Sequence, residues 1–136
     1  MRRSRRIAAL RVALAIGFLI DAVVGIVSVL APALLQPLFD VPVKDAMTAQ
    51  IAGGEFIVMA LVYAVAFRDP VRFRALLWLC ALDQLFAVVL PALGIAHGAL
   101  PRSWKIVAPI PFQALLALFF LANALRRSKG ALQARL

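Results

Sequence analysis

Asp21, Glu55, the neighbouring pair Asp83 and Gln84, and Gln113 each fall near the centre of a separate long apolar stretch. A lone carboxylate at the midplane of a bilayer costs ~2.5–3.5 kcal/mol on insertion scales, and such groups normally face a bundle interior. Polar groups brought to a similar depth by four segments predict one shared interior site. The three carboxylates have no basic residue at comparable depth, since Arg11 lies near the end of its stretch. That arrangement suits a proton, a cation or the polar head of a lipid-like molecule. A plainer reading stands beside it. A protonated acid paired with a glutamine on another helix would fix the register of the bundle without any ligand.

The elements that must position these groups can be read from the breakers around them. A first helix runs from about 7 to 31 and ends at Pro32. Gly17, Asp21, Gly25 and Ser28 share one face of it, a stripe of small residues around an acid. The segment 32–39 is too short to span but apolar enough to lie at an interface. A second helix covers about 46–67, with Gly53 and Gly54 permitting close approach of a neighbour beside Glu55. A third covers about 73–96 and contains Pro91, which leaves the carbonyl of Ala87 without its intrahelical donor. A fourth covers about 104–125. The ~20 uncharged residues between Lys105 and Arg126 would rise ~30 Å, the thickness of the hydrocarbon core.

Composition supports the same frame. The chain has 136 residues, room for one domain, and 65% of them are hydrophobic. With a mean hydropathy of +0.98, a water-soluble domain of this size would expose large apolar patches. The fold class is therefore an all-α, integral membrane four-helix transmembrane bundle. The net charge of +9 is unevenly placed. Arg2, Arg3, Arg5, Arg6 and Arg11 precede or open the first span; Arg68, Arg72 and Arg74 lie between the second and third; Arg126, Arg127, Lys129 and Arg135 follow the fourth. The alternate connections hold only Lys44, Arg102 and Lys105. This bias predicts cytoplasmic N- and C-termini in a bacterial inner membrane, and makes the basic residues topology determinants rather than a nucleic-acid surface. Trp104, Tyr63 and Trp78 read as interfacial aromatics near span ends. The first apolar run, interrupted by Asp21 and without a small-x-small cleavage site near its end, reads as a retained helix rather than a secretory signal.

Chemistry that needs particular residues is poorly served. Cys80 is the sole cysteine, so no intramolecular disulfide, redox pair or thiolate metal cluster can form within the chain. His97, the sole histidine, falls in a loop, which excludes a haem held by two histidines of this chain and argues against a zinc enzyme. No nucleophile–base pair, phosphate loop or nucleotide fingerprint is visible. The expectation is a non-enzymatic protein without cofactor or metal.

The proline-containing stretch Pro32 to Phe39, the sequence Ala52-Gly53-Gly54-Glu55, and the turn from Phe67 through Arg68-Asp69-Pro70 to Arg74 leading into Leu77-Trp78 resemble the small four-helix bacterial membrane proteins of the DoxX-like and BphX-like kind. The resemblance spans most of the chain through short motifs, with Glu55 the best-matching position. It implies an association with quinone-linked respiratory complexes, although the chain carries no redox residues of its own. The leading expectation is a protein that binds a lipophilic molecule (a lipid or quinone-like compound) or a partner membrane subunit through its polar interior. The alternative is an oligomeric proton-coupled transporter of a small molecule or cation. The site residues expected in either case are Asp21, Glu55, Asp83, Gln84 and Gln113; the expected partners are membrane lipids, a lipophilic ligand, and a second copy or a membrane-complex subunit.

Overall fold

The computed structural model describes residues 2–125, with side chains from Ser4 onward. The chain is all-α. Its elements are α1 (Arg2–Leu30), a 3-10 turn (Pro32–Leu34), α2 (Leu35–Phe39), α3 (Ala46–Arg68), α4 (Leu76–Ala96), α5 (Trp104–Val107) and α6 (Pro109–Leu125). Four stretches are long and apolar enough to cross a membrane: Ser4–Leu30, Ala46–Arg68, Leu76–Ala96 and Trp104–Leu125. They form a small membrane-spanning bundle. The basic residues from Arg126 onward lie outside the described residues.

Three element boundaries differ from the sequence reading: α1 begins at Arg2 instead of near residue 7, and the other two each have a local cause. The third span begins at Leu76 because 70–75 form turns closed by the Asp69 carboxylate, which accepts the backbone N–H groups of Val71 and Arg72 at 3.1 and 3.0 Å. The fourth span is split at Ala108 into α5 and α6. Pro109 and Pro111 have no N–H to give to the carbonyls of Lys105 and Val107, so the helical ladder breaks there.

Packing follows side-chain size. In lipid, apolar surface gains little by leaving one hydrocarbon for another, and close van der Waals contact between small residues holds helices together. α1 accordingly packs along α3, and α4 along α6, with α3 against α4 the next most extensive contact. In the first pair, a Cβ on Gly53 would lie 2.6 Å from the Ser28 Cβ and 2.9 Å from the Gly25 carbonyl oxygen. Only glycine permits that approach. Large residues such as Leu90, Leu118 and Val58 point outward, exposed to the surrounding hydrocarbon.

The two pairs meet over one half of their length. Leu10, Ala13 and Leu14 of α1, Tyr63 and Ala66 of α3, Leu77, Cys80 and Ala81 of α4, and Leu116, Phe120 and Ala124 of α6 form one contiguous core. All of these lie towards the end where α1 begins and α6 ends, hereafter the basic end. Beyond it, α4 has no buried residue after Gln84 and α6 none before Leu116. The inward positions there, Met59, Ala87, Pro91 and Gln113, are only half-buried. At the far end Lys105 reaches across to the Pro37 carbonyl at 2.7 Å and the Asp40 carboxylate at 3.4 Å, tying the α5 end of one pair to α2 beside the other.

Candidate functional site

The polar groups of the interior are set by helix register. α1 and α3 run antiparallel, and Gly17 lies on the Tyr63 ring so closely that a Cβ there would sit 2.5 Å from it. One turn further along α1, the same face carries Asp21, 2% exposed. The missing side chain at Gly17 lets Tyr63 lie between α1 and α4, and its ring then packs on Phe120 of α6 with centroids 5.9 Å apart. Tyr63 is completely buried.

From that position the Tyr63 hydroxyl donates to Asp83 Oδ2 at 2.8 Å and lies 3.2 Å from the Cys80 carbonyl oxygen. The Gln84 amide donates from Nε2 to the Tyr63 oxygen at 2.9 Å and to Asp83 Oδ2 at 3.0 Å. Adjacent residues on α4 can both take part because Tyr63 points between them. Asp21 sits close enough to Asp83 for the two carboxyls to interact electrostatically. Two buried oxygens are left over: Asp21 Oδ2 and Gln84 Oε1 accept no hydrogen bond from any described residue. A buried acceptor without a donor costs ~1–3 kcal/mol. Both orphans lie at the limit of the tightly packed half, where the inward faces begin to loosen.

Of the residues read from the sequence, Asp83 and Gln84 are joined through Tyr63, and Asp21 is buried on the neighbouring face of α1 without a hydrogen bond to them. Glu55 and Gln113 do not join them. Glu55 precedes Tyr63 by eight residues, ~12 Å along the helix, and Gln113 precedes Phe120 by seven, ~10 Å. Both therefore stand further towards the far end than the network. Gln113 keeps the inward face of Ala117 and Phe120 but is half-buried. Glu55 is exposed on the outside of the bundle. The reason is angular: Gly53 faces α1, and two residues at ~100° each carry Glu55 to the opposite side of α3. The expectation that it points inward is corrected.

Tyr63 is the residue of this hydrogen-bond network that sequence reasoning missed. An aromatic near a span end was read as an interfacial marker. The available signal was its position on the Ala60, Tyr63, Ala66 face, where small neighbours leave room for another helix. Asn123 accepts from Arg6 Nε and Nη2 at 2.8 and 2.7 Å and so joins α1 to α6 at the basic end. Arg74 donates there to the Ala124 carbonyl, joining the turn before α4 to α6.

Among the described residues no group of three or more His, Cys, Asp or Glu side chains is arranged to hold a metal ion. The arrangement can bind or exchange: it offers two carboxyls, a phenol and an amide in an apolar surround. No family model, curated protein or solved structure matches the chain.

Proposed function

We propose that this membrane-spanning bundle binds a lipophilic molecule whose polar head carries a hydrogen-bond donor, seated on Asp21, Asp83, Gln84 and Tyr63. The observation that carries the reading is the pair of buried, unpartnered acceptors, Asp21 Oδ2 and Gln84 Oε1. Both want a donor, and the donors of Tyr63 and Gln84 are already engaged with one another and with Asp83. A hydroxyl or amine head fits that demand better than a carbonyl. The half-buried wall of Met59, Ala87, Pro91 and Gln113 would flank the apolar body of the ligand. A quinol therefore fits better than the corresponding quinone. This agrees with what the DoxX-like resemblance implies, and with termini in the cytoplasm the wall would face the outer half of an inner membrane.

The test uses a decyl-substituted benzoquinol and its quinone, titrated against the purified chain in detergent. The quinol should bind more tightly. Asp21→Leu, which removes an acceptor, should weaken it by roughly fivefold, the net worth of one hydrogen bond to a neutral group. Asp21→Asn keeps an acceptor and should retain most of the binding. Equal affinity for quinol and quinone, or indifference to Asp21→Leu in a folded bundle, refutes the reading.

One observation favours a second reading, the oligomeric proton-coupled transporter. Glu55 is exposed within its span, and a carboxyl facing hydrocarbon is costly unless a neighbouring chain covers it. Gly54 beside it has open space where a side chain would stand, room for another helix. Disulfide trapping through Glu55→Cys in a Cys80→Ala background should then give dimers in native membranes. Monomer alone under oxidation counts against this reading.

A further inference from the structure

A groove of about 540 Å³ runs along the outside of α1 at the basic end, within the ~300–1,000 Å³ usual for ligand sites. Its lining on α1 recurs at helical spacing, so it follows a single face for ~16 Å from Ser4 to Ala15. Ser4 opens the groove at the basic end, Ile7 and Ala8 follow, and Arg11 stands ~10 Å further in. Beyond Arg11 the groove grades into an apolar trough of Val12, Ala15 and Phe67 of α3.

The Arg11 guanidinium is held in place rather than free to sweep. It lies 5.9 Å from the centroid of the Phe67 ring and donates from Nη2 to the Arg68 carbonyl at 3.3 Å. A guanidinium carries five N–H donors in a planar fork, so others remain for an anion. Asp69, the acid that interacts with Arg11, is turned to the backbone N–H groups of Val71 and Arg72. The groove thus has a fixed cation near its polar end and an apolar trough along the helix axis.

We propose that this groove seats one anionic glycerophospholipid from the leaflet at the basic end. Its phosphate lies on Arg11, its headgroup extends past Ala8 towards Ser4, and one acyl chain runs along Val12, Ala15 and Phe67. Charge complementarity selects an anionic headgroup, because the polar end offers a cation and a hydroxyl. The grading selects a membrane lipid over a soluble phosphate, because a free anion would leave the apolar trough unfilled. None of these residues belongs to the Asp21–Asp83 network, so the inference stands or falls apart from the ligand proposed there.

The test is native mass spectrometry on the delipidated full chain. It is titrated with phosphatidylglycerol or phosphatidylcholine bearing identical acyl chains. The parent should retain phosphatidylglycerol in preference. Arg11→Gln should lower that retention roughly fivefold, the worth of one basic residue at an anionic surface, and erase the preference. Ala8→Trp, on an exposed wall position, should block the groove between Ser4 and Arg11 and lower retention of both lipids. Equal retention of the two lipids by the parent, or undiminished phosphatidylglycerol on Arg11→Gln, overturns the proposal. Should Arg11→Gln not fold, Ala8→Trp decides alone: full retention there overturns it.

Discussion

Tyr63 holds the interior together through both its ring and its hydroxyl. The ring fills the space that Gly17 leaves and meets Phe120, while the hydroxyl joins α3 to Asp83 and Gln84 of α4. Tyr63→Phe keeps the packing and removes the hydroxyl, so Asp83 and Gln84 lose a shared partner. That change should lower stability by ~1–3 kcal/mol, the range for leaving buried polar groups unsatisfied. Gly17→Val attacks the other function, pushing a side chain into the ring; overpacking of this kind costs ~1–3 kcal/mol. Thermal unfolding in detergent should register both. A Gly17→Val melting point equal to the parent's would mean that α1 can move away from Tyr63 without loss.

The same residues show how much of the site could be read in advance. Asp21, Asp83 and Gln84 were legible because an acid or amide within an apolar span has few inexpensive places to go except the interior. Glu55 satisfied that rule equally well and lies outside. The rule fixes depth, whereas orientation depends on which face of α3 meets α1, and that is decided by Gly53 and Gly25. Tyr63 was hidden for the opposite reason: an aromatic at a span end is favoured at the interface and in the core alike. Only the absent side chain of Gly17, on another helix, separates the two outcomes.

At the scale of elements, adjacent glycines in α3 should behave differently. Gly53 lies against Ser28 and the Gly25 backbone, whereas a Cβ on Gly54 would meet nothing within 4 Å. Gly53→Ala should force α1 and α3 apart and lower the melting temperature. Gly54→Ala should leave it unchanged or raise it, since alanine is the better helix former by ~1 kcal/mol. Equal effects at the two positions would contradict the packing.

The helix ends carry a separate, pH-dependent contribution. Asp45 caps α3 by accepting the Thr48 backbone N–H at 2.7 Å, and that bond holds its carboxyl below the usual value of 3.8. Asp69 is held below 3.8 in the same way, chiefly by the backbone N–H of Arg72. A carboxyl whose pKa is lower when folded contributes stability above its unfolded value and loses it as pH falls through the folded one. These contributions should be constant above a pH near 3.8 and decline below it. Asp45→Asn preserves a good capping side chain without a titrating group, so it should remove part of the acid-induced decline in melting temperature. A variant with the parent's acid profile would place that decline elsewhere. The caps follow from short-range sequence. The break at Ala108 was equally local, since Pro109 and Pro111 were visible, but whether such a pair bends or splits a helix depends on what holds the short α5. Here Lys105 anchors it to Pro37 and Asp40.

The whole molecule is polarised along its axis. One half is a tight four-helix core bounded by Arg6, Arg11 and Arg74, each bonded to a neighbouring element. The other half consists of two pairs of helices whose inward faces are half-buried. Charge and packing thus single out the same end, and the expectation from the charge bias is that this end faces the cytoplasm. Arg102 stands exposed in the link before the fourth span and Arg5 at the start of the first, with three spans between them. In a Cys80→Ala background, Arg102→Cys should react with a membrane-impermeant maleimide on intact cells. Arg5→Cys should react only once the membrane is opened. Labelling of both from one side would require one of the three intervening helices not to cross, and the tight core could not then lie at a single depth. Labelling of Arg5→Cys alone from outside would invert the bundle, place the loose half against the inner leaflet, and require any ligand of Asp21 and Asp83 to enter from that side.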